Sequence, residues 1–239
     1  MSDPASTVTT PLRRVGLVGI ELIDPVTLTR VTQGVRVSAQ GLANPPVLSY
    51  SGCFVWFKED GDSWPESISV DVGKLPYEPV AGTIAPPARP VDLDDAPVSA
   101  RLARVTLCPS VAYPFPDGVL GLRGRLHETA DRASPPVAGA RIWLRWGSAP
   151  DDASGRIDSP VRSTTTESGA FAVFLRPPVA LMPEAANGRV SLQLAVLPAG
   201  ETMPRTKQIE AMDGAMNVVP DPSDLAAVFP LDEMAQEPS

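Results

Sequence analysis

Short runs in which apolar and polar residues alternate, broken roughly every ten positions by proline, glycine, aspartate or serine, make up most of this chain. A period of two sends successive side chains to opposite faces of a strand, whereas a helix needs a period near 3.6. Strands are expected at 14–23, 34–40, 47–58, 67–72 and 99–108, and again at 118–127, 138–146, 160–167, 169–176 and 188–197. Only 207–213 and 222–228 have a composition that suits a helical turn. The punctuation is heavy, with 28 prolines and 18 glycines among 239 residues. That share lies below the roughly 25–30% of low-complexity chains, and 43% hydrophobic residues suffice to build cores. The fold expected is all-β: tandem sandwiches with an extended acidic C-terminal tail.

The chain repeats itself. Gly19, Gly34 and the run Ser51-Gly52-x-Phe54 correspond to Gly124, Gly139 and Ser168-Gly169-x-Phe171. The first two glycines are 15 residues apart in both copies. The next spacing is 18 residues in one and 30 in the other, and the excess of 12 equals the polar insert 147–158. A Ser-Gly between strands supplies the positive φ of a tight turn, and the aromatic two positions later would anchor a core. The organisation expected is a flexible start at 1–11, a first sandwich over 12–110, a proline- and aromatic-rich linker at 111–117, a second sandwich over 118–219 and a tail over 220–239.

Gly124-Arg-Leu, the run Pro135-Pro136-Val137-Ala138-Gly139-Ala140-Arg141-Ile142 and the hairpin Thr164–Phe171 resemble the carboxypeptidase regulatory-like, transthyretin-like family of small β-sandwiches. The likeness covers about 55 residues of the second half and, more loosely, about 40 of the first; the usual acidic residue of the hairpin is displaced to Glu167. It implies two tandem immunoglobulin-like or transthyretin-like β-sandwich domains, and a role as an accessory, binding or spacer module, with no catalytic residues to carry over.

Charge and chemistry narrow the function. The net charge of −8 is uneven: 12–110 carries 9 bases and 11 acids, 117–219 carries 11 of each, and the last twenty residues hold five acids and no base. No basic cluster exists to release counterions, so nucleic acid is not expected as a partner. No apolar run reaches membrane-spanning length. The opening MSDPASTVTTPLRR lacks the apolar core of a signal peptide, so synthesis in the cytoplasm is expected, with release as part of a particle. Cys53 and Cys108 are expected to be free thiols on that ground.

No catalytic, metal or cofactor site is expected. His127-Glu128 opens HETAD at a strand end and lacks the second histidine and the helix of a zinc protease motif. The single histidine and the absence of G-x-S-x-G leave nothing for a nucleophile elbow. The acidic loops at 59–62 and 92–95 match no calcium register and read as solvated. On the strand over 138–146, Trp146 shares the apolar face of Ile142 and Leu144, while Trp143 lies between Arg141 and Arg145 on the other face, placed for a cation–π contact or a partner.

Interaction is therefore assigned to five apolar residues: Tyr113 and Phe115 in the linker, and Leu225, Phe229 and Leu231 in the tail. The tail is expected to add as a strand over 224–229, to the second sandwich or to a neighbour, and to stop before Pro230, which has no N–H to donate. The loop 83–98 is expected to be exposed. The function expected is a non-enzymatic structural or interaction protein, an accessory or decoration subunit of a large assembly such as a phage-tail-like or contractile injection particle. Its partners would be proteins, with homo-oligomers allowed; the alternative is an extracellular carbohydrate- or surface-binding module.

Overall fold

The computed structural model describes residues 15–59, 63–93, 95–147, 157–175, 186–220 and 227–236. These residues form strands, turns and one 3-10 turn, in an all-β, sandwich-like architecture. The chain divides into two compact units. The first gathers the chain up to Ile23 with Arg30–Gly73 and Val80–Val105; the second gathers Asp24–Thr29, Lys74–Pro79 and everything from Thr106. Three short stretches of the expected first body, 24–29, 74–79 and 106–110, thus belong to the second unit.

In the first unit, β1 (Gly16–Ile23), β3 (Val47–Leu48), β4 (Phe54–Phe57) and β6 (Leu102–Thr106) make a sheet in the order β3-β4-β1-β6, and β2 (Arg36–Gln40) pairs with β5 (Ser67–Asp71). Val18 lies opposite Trp56 and Ile20 opposite Phe54, so one face of the sheet carries a continuous apolar layer, buried throughout. In β2 and β5 the alternation is clean: Val37, Ala39, Ile68 and Val70 are buried and their neighbours are not.

In the second unit two sheets face each other. One, in the order β10-β8-β12-β13-β16, contains β8 (Arg141–Trp146), β10 (Ser163–Thr164), β12 (Arg189–Leu197), β13 (Arg205–Met212) and β16 (Ala235–Gln236), with β9 (Ile157–Asp158) on the far end of β8. The other is β11-β7-β14, made of β11 (Ala170–Leu175), β7 (Leu120–His127) and β14 (Met216–Val219), with β15 (Phe229–Pro230) also on β7. Leu122, Leu126, Phe171 and Val173 from one sheet interleave with Ile142, Leu144, Trp146, Leu192 and Leu194 from the other.

Several expected elements differ in detail. The run 47–58 is two strands, because Gly52 at φ 80° turns the chain between them. The start of 99–108 is a 3-10 turn, Val98–Arg101, entered from Pro97, whose fixed φ suits a first turn. The region 207–213 is not helical: 207–212 lies in β13, paired along its whole length with β12, and Asp213 enters the turn after it. Its Lys, Gln and Glu suit a helix locally, but pairing with a neighbouring strand and burial of Ala211 override that preference. The strand β14 is not among the strands that the alternation marks. Of the second expected helical turn, 222–226 lies outside the described residues, and 227–228 is not helical. In the loop 83–98, Ile84 exchanges both backbone hydrogen bonds with Ile68 at 2.8 Å, and Trp64 Nε1 donates to the Pro87 carbonyl.

The repeated Ser-Gly-x-Phe segments build one turn twice. Ser49 N–H donates to Cys53 O (2.8 Å), Gly52 N–H to Ser49 O (2.9 Å) and Cys53 N–H to Ser49 Oγ (3.0 Å). In the second unit Thr166 N–H donates to Ala170 O (3.0 Å), Gly169 N–H to Thr166 O (2.9 Å) and Ala170 N–H to Thr166 Oγ1 (3.1 Å). A hydroxyl pair completes each turn at 3.0 Å, Ser49 with Ser51 and Thr166 with Ser168. Phe54 and Phe171 follow, both buried. The strand pairing also begins alike, Gly16 opposite Phe57 and Gly121 opposite Phe174. In the first unit a bulge between Gly16 and Val18 then shifts the register by one, so that Gly19 faces Val55 while Gly124 faces Phe171.

Gly169 carries both constraints a turn glycine can have, a φ of 72° and a would-be Cβ 2.3 Å from the Leu126 carbonyl oxygen. Gly200 has φ 85° and open space around it. Gly169→Ala is expected to cost on the order of 2–5 kcal/mol in denaturant unfolding, and Gly200→Ala only about 1–2 kcal/mol. Equal costs would show that the contact with Leu126 does not matter.

Candidate functional site

The linker residues singled out from the sequence lie in a small second core of the second unit. Strand β11 turns Phe171, Val173 and Leu175 into the main core and Phe174 outward. Over Phe174 lies a chain of rings. Phe115 sits 5.7 Å from it, Tyr113 4.8 Å from Phe115 and Tyr77 5.6 Å from Tyr113, all tilted. Val26 completes the cluster, fully buried. Arg123, on the outward face of β7, stacks its guanidinium 5.3 Å from the Phe115 ring and donates to the Tyr113 carbonyl. Tyr113 is 5% exposed and Phe115 half-buried. Both are spent on this packing, so the expectation that they await a partner is corrected for Tyr113: its ring and hydroxyl are enclosed by its own unit.

Asp24 organises the cluster. Its carboxylate is buried and accepts from Val26 N–H (2.8 Å), Thr27 N–H (3.3 Å), Tyr77 O–H (3.1 Å) and Tyr113 O–H (2.5 Å). Burial opposes its charge, but the bonds from Tyr113, Val26 and Thr27 outweigh that and hold its pKa below the usual aspartate range. Burial first, then the Asp24 charge, pushes both tyrosines well above their usual range. A tyrosine so disposed is a fixed neutral donor. The arrangement has the chemistry of a structural anchor, a carboxylate whose acceptors are taken up by protein.

The other charged groups are used in the same way. In the first unit Glu21, fully buried in β1, is bound by Arg30 at 2.8 Å and by Arg104, and the two arginines hold its pKa down against the penalty of burial. In the second unit Trp143 is 3% exposed, with Arg162 at 4.5 Å and Arg145 at 5.6 Å from its ring and Asp158 bridging the two arginines. The sequence placed Trp143 on the outer face; the arginines cover it. Trp146 packs in the main core as expected. His127 Nδ1 contacts the Ser134 carbonyl at 2.8 Å, bracing the turn that follows β7. Glu78 accepts from Ser163 Oγ (2.8 Å) and Thr164 N–H (2.9 Å). Among the described residues no group of three or more His, Cys, Asp or Glu is placed to hold a metal ion.

Neither cysteine is in a disulfide. Cys53 is buried in the first unit; Cys108 belongs to the second and donates its thiol to the Arg162 carbonyl at 2.8 Å. Burial, then the neighbouring Glu78 charge, pushes the Cys108 pKa up to about 12.

In the tail, Leu225 lies outside the described residues. Phe229 and Leu231 are 1% and 7% exposed in the main core of the second unit, so their own chain covers them. Phe229 and Pro230 pair parallel with Leu126 and His127 on β7. Pro230 is thus part of the strand rather than just beyond it; the next N–H, that of Leu231, makes the ladder bond to the His127 carbonyl at 2.9 Å.

Several apolar groups face outward, Leu28, Val91, Val98 and Met212 among them, and those gathered at one sheet edge are not among the five residues the sequence singles out. At β3, the edge of the first sheet, Val47 and Leu48 are 51% and 46% exposed, and Tyr50 at the turn tip is fully exposed. The signal was present in the repeat: Tyr50 aligns with Glu167, so the turn itself does not require an aromatic there.

No protein-family model matches the chain, and no curated protein does. Among solved structures, the Bacillus anthracis TIE protein is similar over 86% of this chain at 14% identity and a TM-score of 0.27. The chain spans about a third of the length of that protein.

Tyr113→Phe leaves Asp24 short of a donor and is expected to cost about 1–3 kcal/mol. Because the Asp24 pKa is depressed in the folded protein, its stabilising contribution is complete above the unfolded value near pH 4 and is lost as pH falls through the folded value. Asp24→Asn is therefore expected to destabilise the protein at pH 7 and to flatten the fall in melting temperature below about pH 4; a variant as acid-sensitive as the parent would mean that other carboxylates set the profile. A thiol titration of the unfolded, unreduced protein is expected to find both cysteines free.

Proposed function

We propose that the protein is a non-enzymatic interaction protein built from two tandem copies of one immunoglobulin-like or transthyretin-like β-sandwich module. The duplication is supported by the turn built twice from equivalent hydrogen bonds, at Ser49–Cys53 and Thr166–Ala170. The resemblance of the second half to carboxypeptidase regulatory-like modules points the same way. The role we assign is that of an accessory or decoration subunit in a large assembly, of the kind found in phage-tail-like or contractile injection particles. That assignment is by analogy of module type.

The observation that carries the interaction reading is the β3 edge. Val47, Leu48 and Tyr50 stand in solvent, and Glu167 occupies the same turn position as Tyr50 without harm to the turn. Exposure of an aromatic that the fold does not need favours a binding role. Pro45-Pro46 precedes the two-residue strand, which limits strand addition along this edge and favours contact through side chains. The occupant we assign is a protein. A sugar platform would need several exposed rings, whereas Trp56, Trp143 and Trp146 are buried and Trp64 half-buried.

Val47→Asp combined with Tyr50→Asp tests this in the full-length protein. Wild-type protein made in its native host is expected to sediment with a high-mass fraction. The double variant is expected to stay in the low-mass fraction with its melting temperature unchanged. If both sediment alike, the β3 edge is not the contact.

A further inference from the structure

The stretch 227–236 has the build of a bound peptide. Strand β15 contributes two residues on β7, and β16 two residues on β13, where Ala235 faces Thr206 and Gln236 faces Arg205. The segment therefore spans from one sheet of the second unit to the other. Between its two short strands, Leu231 and Asp232 donate their N–H groups to the His127 and Glu128 carbonyls at 2.9 and 3.1 Å. Its hold comes from side chains: Val228, Phe229, Leu231 and Met234 are all less than 10% exposed. Lys207 reads the segment from outside, its ammonium 5.2 Å from the Phe229 ring and 2.7 Å from the Glu233 carboxylate.

The seat does not depend on its occupant for its own strand pairing. Strands β11, β7 and β14 form one sheet, and β10, β8, β12 and β13 the other, through pairings that do not involve 227–236. Paired apolar anchors set into a groove between two sheet margins, with one charge contact at the rim, are the elements by which sheets capture extended peptides.

We propose that this groove is a peptide-binding site that takes the C-terminal segment of a second copy of the chain as readily as its own. The contacts are the same in both cases, so the balance is set by local concentration. In dilute solution the chain's own segment wins, because belonging to the same chain gives it an effective concentration on the order of millimolar. Where copies are packed side by side, the segment of one body can fill the groove of the next. The joint is head-to-tail, with one donor and one acceptor on every copy, and it closes into a ring or runs on as a row. This inference is independent of the β3 edge and stands or falls without it.

The experiment uses the full-length chain with a specific protease site inserted between Pro222 and Ser223, cut after folding. A fluorescein-labelled peptide of residues 221–239 is then added, and binding is followed by anisotropy and by native mass. The expected result is one-to-one replacement of the severed segment by the labelled one. The Phe229→Ala peptide is expected to compete at least a hundredfold more weakly. Three results would overturn the proposal: a severed segment that stays for days and admits no labelled peptide, a segment that leaves while the groove binds nothing in its place, or a body that unfolds on cleavage. The last would make 227–236 an integral strand rather than a ligand.

Discussion

One carboxylate holds together what the chain order separates. Asp24 gathers Val26 and Thr27 from its own loop, Tyr77 from a second stretch and Tyr113 from a third. Isolated, a buried carboxylate costs several kcal/mol; surrounded by four donors, it becomes the point where three segments must meet. The rings that bring those hydroxyls cover the outer face of β11, so the strand carrying Phe171 and Phe174 is buried on both sides. Strands enclosed in this way cannot alternate apolar and polar residues, which is why β11 reads Ala-Phe-Ala-Val-Phe-Leu.

Each unit uses buried acid differently. In the first, Glu21 sits within β1 and is bound by two guanidinium groups, from Arg30 nearby and Arg104 far along the chain. In the second, Asp24 is bound by neutral donors, and arginine is used instead to cover apolar rings, Trp143 and Phe115. Both arrangements leave charge inside the protein well paired. A carboxylate whose acceptor positions are already filled by protein donors is poorly placed for acid–base work, so the chemistry of these clusters goes into holding the chain rather than acting on a ligand.

What the sequence disclosed, and what it hid, follow from the range of the interactions. The turns at Gly52 and Gly169, the buried Phe54 and Phe171 and the core position of Trp146 were legible because each depends on residues within a few positions or on strand parity. Asp24 left no local mark: an aspartate before a proline reads as a turn, and its tyrosines lie 53 and 89 residues away. Trp143 was put on the correct face, but parity cannot tell that Arg162, from a neighbouring segment, would close over it. Strand β13 hides from the sequence because its composition suits a helix and its partner β12 decides otherwise. Pro230 reads as a stop, whereas it lacks only the N–H, and the strand continues its pairing through the N–H of Leu231.

The assembly of the second unit from three separated stretches has a consequence for how the protein is made. Residues 24–29 leave the ribosome before the rest of the second core they help to close, whose Phe174 follows about 150 residues later in the sequence. At ordinary rates of synthesis that interval is on the order of 10–30 seconds. The Asp24 carboxylate waits first for Tyr77 and Tyr113, 53 and 89 residues on, and the unit cannot close by the domain-at-a-time order that suits contiguous tandem modules. Long-range pairing of this kind folds slowly, and the interval sets a window in which a chaperone, or a neighbouring nascent chain on the same message, meets residues 24–29 before their own later partners do.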